Sequence, residues 1–227
     1  MNNFSMQNSS YTIQKSSPSE VVIQRKTAES DIVVTLSGSW KGTDVTPRQC
    51  QWNTGIAFFN HMIQLVCRRA GLNIDAEFRC VLPETFAAHV VWEDVGMAMG
   101  ACVNELLARR RQDGVEGAGG GTACIDEALS SCYMSFEGRS NCFIIVADSS
   151  AAGRELVEDA KMQDVRQFFE GFAQGARSTI HLTIGAAEDT HHLWESAFRA
   201  FGEALRVVLQ PNEWRKGVIV GVKDTGD

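Results

Sequence analysis

His89-Val90-Val91-Trp92-Glu93 and His191-His192-Leu193-Trp194-Glu195 are one motif written twice, 102 residues apart. Each copy runs on into a helix of small and apolar residues. Ala98, Gly100 and Leu107 in the first match Ala200, Gly202 and Leu209 in the second at the same offset. Such agreement marks an internal duplication. Whatever is built around the first copy is therefore built again around the second. Four of the five histidines, His61 included, lie in or near these segments.

Outward from the first copy, Val21 to Trp40 reads as two strands joined through Lys26-Thr27-Ala28-Glu29-Ser30, the second being Asp31–Leu36. A helix fits Ile56 to Arg69, with His61 inside it and Ala70-Gly71 as its stop. Leu72 to Phe78 then alternates as a strand, and the His89 helix runs to about Arg111. The second copy has strands at Cys132–Phe136 and Cys142–Ala147, a helix around Asp164–Gln174, a strand at Ser178–Ile184 and the His191 helix to about Leu209. Strands, helix, strand, helix, twice over, implies a two-layer α+β fold of duplicated half-domains, each a mixed sheet with two helices packed on one face. Asp113 to Thr122 holds five glycines in ten residues and reads as the loop between halves. It lacks the G-K-[ST] ending of a phosphate cradle. The expected division is a disordered tail at 1–19, half-domains at 20–112 and 123–215 around the loop at 113–122, and a C-terminal segment at 216–227.

The chain has 227 residues, 44% of them hydrophobic, which suffices for two halves sharing one core. A net charge of −7 with scattered Lys and Arg excludes the electrostatic footprint of a nucleic-acid binder. No apolar run approaches the ~18 residues needed to cross a bilayer. Seven cysteines, odd in number and never spaced C-x-x-C, argue against a disulfide framework and a zinc ribbon. They point to buried thiols in a reducing compartment, so the expected location is cytoplasmic. The first nineteen residues are polar and contain no Arg, which favours a disordered tail over an organellar transit peptide, though the latter stays open.

Residues three or four apart on a helix share a face, so His89 can converge with Glu93, and His191 or His192 with Glu195. Imidazole beside carboxylate suits a divalent cation. Adjacent helical residues diverge by roughly a quarter turn or more, so the tandem pair His191-His192 suggests ligands to two different ions. The plainer alternative is a helix-start histidine with a glutamate that serves the helix dipole. Two aligned copies outweigh it.

These residues resemble the imidazoleglycerol-phosphate dehydratase family of histidine biosynthesis, which carries H-H-x-x-E-D in its first half and H-H-x-x-E-A in its second. Its F-x-D-H-M is similar to Phe58-Phe59-Asn60-His61-Met62, its M-D-E-A-L to Ile125-Asp126-Glu127-Ala128-Leu129, and its R-x-T-x-E to Arg25-Lys26-Thr27-Ala28-Glu29. Gly138-Arg139 and a terminal Lys223 also match. The resemblance implies a ribosomal S5 domain 2-like fold, a pair of manganese ions held by histidines and glutamates, and a homo-oligomeric shell of 24 subunits that completes the sites. It implies a lyase that removes water from the glycerol phosphate side chain of an imidazole, with Glu29 as the candidate acid/base group. The expected metal ligands are His61, His89, Glu93, His191, His192 and Glu195. The expected phosphate cations are Arg139, Arg199 and Lys223.

Departures from the family pattern fall on functional positions. Val90 stands where the first half's second tandem histidine belongs, and Gln167-Phe168-Phe169 replaces H-F-F. In the family's G-I-x-R-F-G an arginine has become Gly117, and P-S-T-K-G reads Val220-Gly221-Val222-Lys223-Asp224. If each ion takes the lone helix histidine of one half and the second tandem histidine of the other, both losses fall on one ion. The expectation is then one divalent ion per chain, two being the family number, and a retuned pocket. The alternative is a catalytically lapsed paralogue that keeps the shell as a structural or regulatory protein.

Overall fold

A computed structural model describes residues 10–221. The first half comprises strands β1 (Tyr11–Ser16), β2 (Glu20–Lys26), β3 (Ser30–Ser37), β4 (Trp52–Asn53) and β5 (Asn73–Cys80), with burial alternating along β2. Helix α1 (Ala57–Ala70) lies between β4 and β5, and α2 (Ala88–Arg110) follows. Helix α1 stops where expected. Gly71 adopts φ 69°, and its N–H returns to the carbonyl of Cys67. The second half comprises β6 (Ala118–Ile125), β7 (Ala128–Ser135), β8 (Asn141–Val146), a small hairpin of β9 (Leu156–Val157) and β10 (Ala160–Lys161), α3 (Met162–Ala176), β11 (Thr179–Ile184) and α4 (Thr190–Val208).

The two main sheets run β1-β2-β3-β5-β4 and β6-β7-β11-β8. With β1 set aside the orders are the same. Two antiparallel pairings are followed in each by a parallel one, β4 on β5 and β8 on β11. The duplicated α+β architecture is thus present at the level of strand order. No helix among the described residues is long and apolar enough to cross a membrane.

Two expectations about loops are corrected. Tyr11–Ser16, inside the stretch read as a disordered tail, pairs along β2 as an edge strand. Ala118–Thr122, inside the stretch read as a glycine loop, is strand β6, the counterpart of β2. Its glycines mark close approach and not flexibility. A Cβ on Gly119 would sit 2.5 Å from the Val207 side chain, and one on Gly121 would sit 2.6 Å from the backbone nitrogen of Ala204. Helix α4 lies almost directly on the strand's backbone.

The same device joins the halves. Helix α2 packs on α3 through Gly96, Gly100, Gly171 and Gly175. A Cβ on Gly100 would overlap the Phe172 carbonyl, and one on Gly175 would come within 2.7 Å of the Met97 carbonyl carbon. Gly202 of α4 meets α1 in the equivalent way, with Val66 Cα 3.3 Å from its would-be Cβ. Around these contacts the four helices share an aromatic core. Phe59 stacks on Trp92 at 3.9 Å, and Phe168 meets Phe198 at 5.1 Å. Buried Arg110, at the end of α2, donates to the carbonyls of Pro18, Gly38 and Ser39 in the first half and of Leu209 in the second. Its guanidinium lies 4.4 Å from the Trp40 ring. Burial with no carboxylate partner lowers its pKa to about 10.

Overpacking a helix contact of this kind costs about 1–3 kcal/mol. Gly100→Ala is therefore expected to lower unfolding stability by that amount in chemical denaturation. Gly153→Ala, whose added methyl meets nothing within 4 Å, should shift it by less than about 0.5 kcal/mol.

Candidate metal centre

His61 stands on α1, His191 and Glu195 one turn apart on α4, and the α1–α4 contact brings them together. One ligand atom from each lies within 4.8 Å of the others. Glu195 Oε2 is 3.1 Å from His191 Nε2 and 3.5 Å from His61 Nε2. The carboxylate is buried, whereas the two imidazoles are half-buried and open to solvent on one side. Two imidazoles and one carboxylate with an open position make a donor set that fits a borderline divalent cation.

Each member is braced. His191 Nδ1 is 3.1 Å from Glu158 Oε1, which fixes the ring and leaves Nε2 as the ligand nitrogen. Glu158 adopts φ 49°, an αL conformation uncommon outside glycine, in the turn of the β9–β10 hairpin. The next residue, Asp159, accepts from the N–H groups of Ala57 at 2.7 Å and Phe58 at 3.0 Å. It thereby caps α1, whose own Ile56 offers no side-chain acceptor. Arg199 Nε donates to Glu195 Oε1 at 2.9 Å, Nη2 bonds the same oxygen, and Nη1 donates to the Cys124 carbonyl at 3.0 Å. This leaves Oε2 to face the histidines. Burial pushes the Glu195 carboxyl pKa up, and Arg199 with the two histidines more than offsets it, so the net shift is downward.

His192 turns away from this cluster. Its Nδ1 is 2.9 Å from Glu127 Oε2 and its Nε2 3.4 Å from Asp126 Oδ2. The Glu127 carboxylate also accepts from the N–H groups of Glu188 and Asp189. Its own backbone N–H, His192 and those two amides hold its pKa down to about 2. Hydrogen bonding to Glu127 raises the pKa of His192. Sequence reasoning quoted Asp126 and Glu127 within a motif but gave them no role, and it passed over Glu158. All three sit in turns, two with positive φ, where no periodicity signals a site.

The other expected residues lie elsewhere. His89 and Glu93 are on α2, and neither joins the cluster nor pairs with another described residue. Glu29 is exposed in the β2–β3 turn, beside Phe78, Leu82, Phe86 and Val90. Arg139 is exposed past the far end of β7 from Glu127, separated by a strand of eight residues, roughly 25 Å at the usual rise. Arg199, expected to be a phosphate cation, is bonded to the Glu195 carboxylate and the Cys124 carbonyl. Lys223 lies outside the described residues.

The family model for imidazoleglycerol-phosphate dehydratase matches residues 54–205. The chain belongs to the imidazoleglycerol-phosphate dehydratase family. A relative of that name from Synechococcus sp. is 32% identical over 210 residues, covering 91% of this chain and 93% of its own. One from Oceanobacillus iheyensis is 30% identical over 196 residues, covering 86% and 94%. In fold, the Staphylococcus aureus dehydratase superposes with a TM-score of 0.69 at 24% identity, covering 85% of this chain and 99% of that one. The Pyrococcus furiosus enzyme in complex with (S)-C348 does so with 0.69 at 23% identity, covering 88% and 98%.

Within the family frame, the internal symmetry locates the two altered positions. Gly100 meets Phe172 as Gly202 meets Val66, so Gln167 on α3 is the counterpart of His61, and Val90 that of His192. Within the chain His61 is grouped with His191 and Glu195, whereas His192 is turned to Glu127. By the same symmetry Gln167 takes the place of His61 opposite the helix of His89 and Glu93, and Val90 takes the place of His192. Gly117, where the family pattern has arginine, adopts φ 68°, and the Val220 side chain fills the space beside it.

Removing an N-cap acceptor costs about 0.5–2 kcal/mol. Asp159→Ala is expected to destabilise the fold within that range. It should raise hydrogen exchange at the Ala57 and Phe58 amides, an effect Glu158→Ala should not reproduce.

Proposed function

We propose that this chain is a metal-dependent hydro-lyase that removes water from imidazoleglycerol phosphate or a closely similar imidazole polyol phosphate. The observation that carries the reading is the His61–His191–Glu195 cluster with a carboxylate behind its histidine, in a chain of this family. A divalent cation bound there, manganese being the family's metal, would polarise the substrate imidazole and favour the charge that develops when a poorly acidic carbon gives up its proton. The chain's own groups do the rest. Glu158 holds the His191 tautomer, Arg199 fixes which Glu195 oxygen faces the cluster, and Glu127 holds His192 by Nδ1 with Nε2 on the side of Asp126.

An outward histidine on an exposed edge suits a site shared between copies, and we read the protein as a homo-oligomer, with a 24-subunit shell as the specific proposal. Glu29 is the proposed acid/base group, acting on an apolar floor where the second half has Glu127 and His192. Arg139, reaching from another copy, and Lys223 are the proposed phosphate cations. Val90 and Gln167 favour the second reading, a lapsed paralogue retained for the shell.

Elemental analysis of purified protein is expected to show about one tightly held divalent ion per chain. His61→Ala should abolish it, and Glu158→Ala should weaken binding about 10–100-fold, the usual effect of removing a carboxylate behind a ligand histidine. Gln167→His with Val90→His should raise the count towards two. Water loss from imidazoleglycerol phosphate, followed as appearance of the ketone product, tests the activity. Metal without turnover selects the lapsed paralogue, and two ions in the unmodified chain would contradict the one-site reading.

A further inference from the structure

A large cavity lies apart from the histidine cluster, none of whose three residues lines it. It measures about 750 Å³ and opens between the irregular segment that precedes β4 and the outer face of α1's C-terminal half. That is within the range of small-molecule sites, about 300–1,000 Å³. Val45, Trp52 and Leu72 give it an apolar wall, and Arg48, Gln64 and Arg68 supply polar groups. Gln64 and Arg68 are four residues apart on α1 and so share the face turned to the cavity.

Three features indicate what such a cavity takes. In a chain of net charge −7, none of its lining residues is acidic. Arg48 is neutralised from outside by Asp75, with Nη1 2.9 Å from Oδ1, while Glu20 acts on it at longer range. Arg68 has no ion pair or hydrogen bond with any described residue, although Arg69 beside it reaches Glu203 at 3.4 Å. A basic residue in a helix's last turn serves the macrodipole wherever it points. Arg68 does so on a cavity wall, one turn from a free amide and across from a half-buried indole whose N–H is already satisfied by the Ile74 carbonyl at 2.9 Å. Arg68 is exposed and Gln64 half-buried, and the donors of both are open to a molecule that enters.

We propose that this cavity is a second binding site, for a small planar molecule carrying one anionic group. The ring lies against Trp52 and Leu72, and the carboxylate or phosphate is taken by Arg68 and Gln64. Two buried thiols, Cys50 and Cys67, also line the cavity and would be covered by such a ligand.

The test is calorimetric titration of the full chain with benzoate and with phenyl phosphate, using benzamide as the uncharged control. Both anions are expected to bind, the control at least tenfold more weakly. Arg68→Gln should weaken the anions at least tenfold, and His61→Ala should leave them within twofold. Iodoacetamide labelling mapped by mass spectrometry should be slowed by benzoate at Cys50 and Cys67 and unchanged at exposed Cys124. If only phenyl phosphate binds, or only benzoate, the group that binds is named and the site stands. Equal binding of benzamide, indifference to Arg68→Gln, loss of binding in His61→Ala, unprotected thiols, or no binding of either anion would overturn the proposal.

Discussion

The contact between bare backbone on α2 and bare backbone on α3 is the constraint on which the rest of this molecule depends. Ordinary helix pairs keep their axes about 8–10 Å apart because side chains intervene. Here Gly96 and Gly100 face Phe168, Phe172 and Ala176, while Gly171 and Gly175 face Glu93 and Met97, and no side chain intervenes at those points. Gly202 repeats the arrangement between α4 and α1. Because Glu93 lies beside Gly171 and Met97 beside Gly175, the two helices run in the same direction. Stepping back one turn along both sets His89 near Gln167. The equivalent step on the other pair sets His61 near His191, and their rings lie 5.4 Å apart. The ligand cluster is thus a by-product of helices brought unusually close.

Duplication supplied two such ends, and they have diverged in polarity. At the α4 end, Asp189 caps the helix, Glu188 and Asp189 donate backbone N–H groups to Glu127, and Glu127 holds His192. At the α2 end, the residues at the same offsets are Phe86, Ala87 and Val90, beside Glu29. Ala87 provides no cap, and Phe86 is 53% exposed. A carboxylate surrounded by donors stays ionised. Two carboxylates that began as equivalents now occupy environments of opposite character.

Much of this was legible before any coordinates. The repeated motif announced the duplication, and period-2 and period-3.6 patterns placed β2, β3, β5, β7, β8, β11 and all four helices to within a few residues. The misses have one physical cause, which is that composition was read as local when it was tertiary. Gly119 and Gly121 looked like a loop because their reason lies in Val207 and Ala204, more than eighty residues away. Tyr11–Ser16 looked like a tail because an edge strand needs only half its face to be apolar. In the site, residue types were readable and pairing was not. Which tandem histidine joins His61 depends on helix rotation about the axis, set by the glycine contacts. Glu158 is brought in by a hairpin that no helix or strand period predicts.

The cap on α1 has a consequence for how the chain comes to be folded. Asp159 follows Ala57 by 102 residues, an interval of roughly 5–20 s at ordinary rates of synthesis. During it α1 has no acceptor for its first amides, and the glycine face of α2 has no α3 to rest on. The first half therefore emerges from the ribosome as a surface awaiting its complement, and what it awaits is a near copy of itself. Chains growing side by side on one message carry many such surfaces, so pairing between neighbours competes with pairing within. Divergence of the two halves, which cost the first its second histidine, also makes each a poorer partner for its own kind. His61, His191 and Glu195 meet only once α4 has been made.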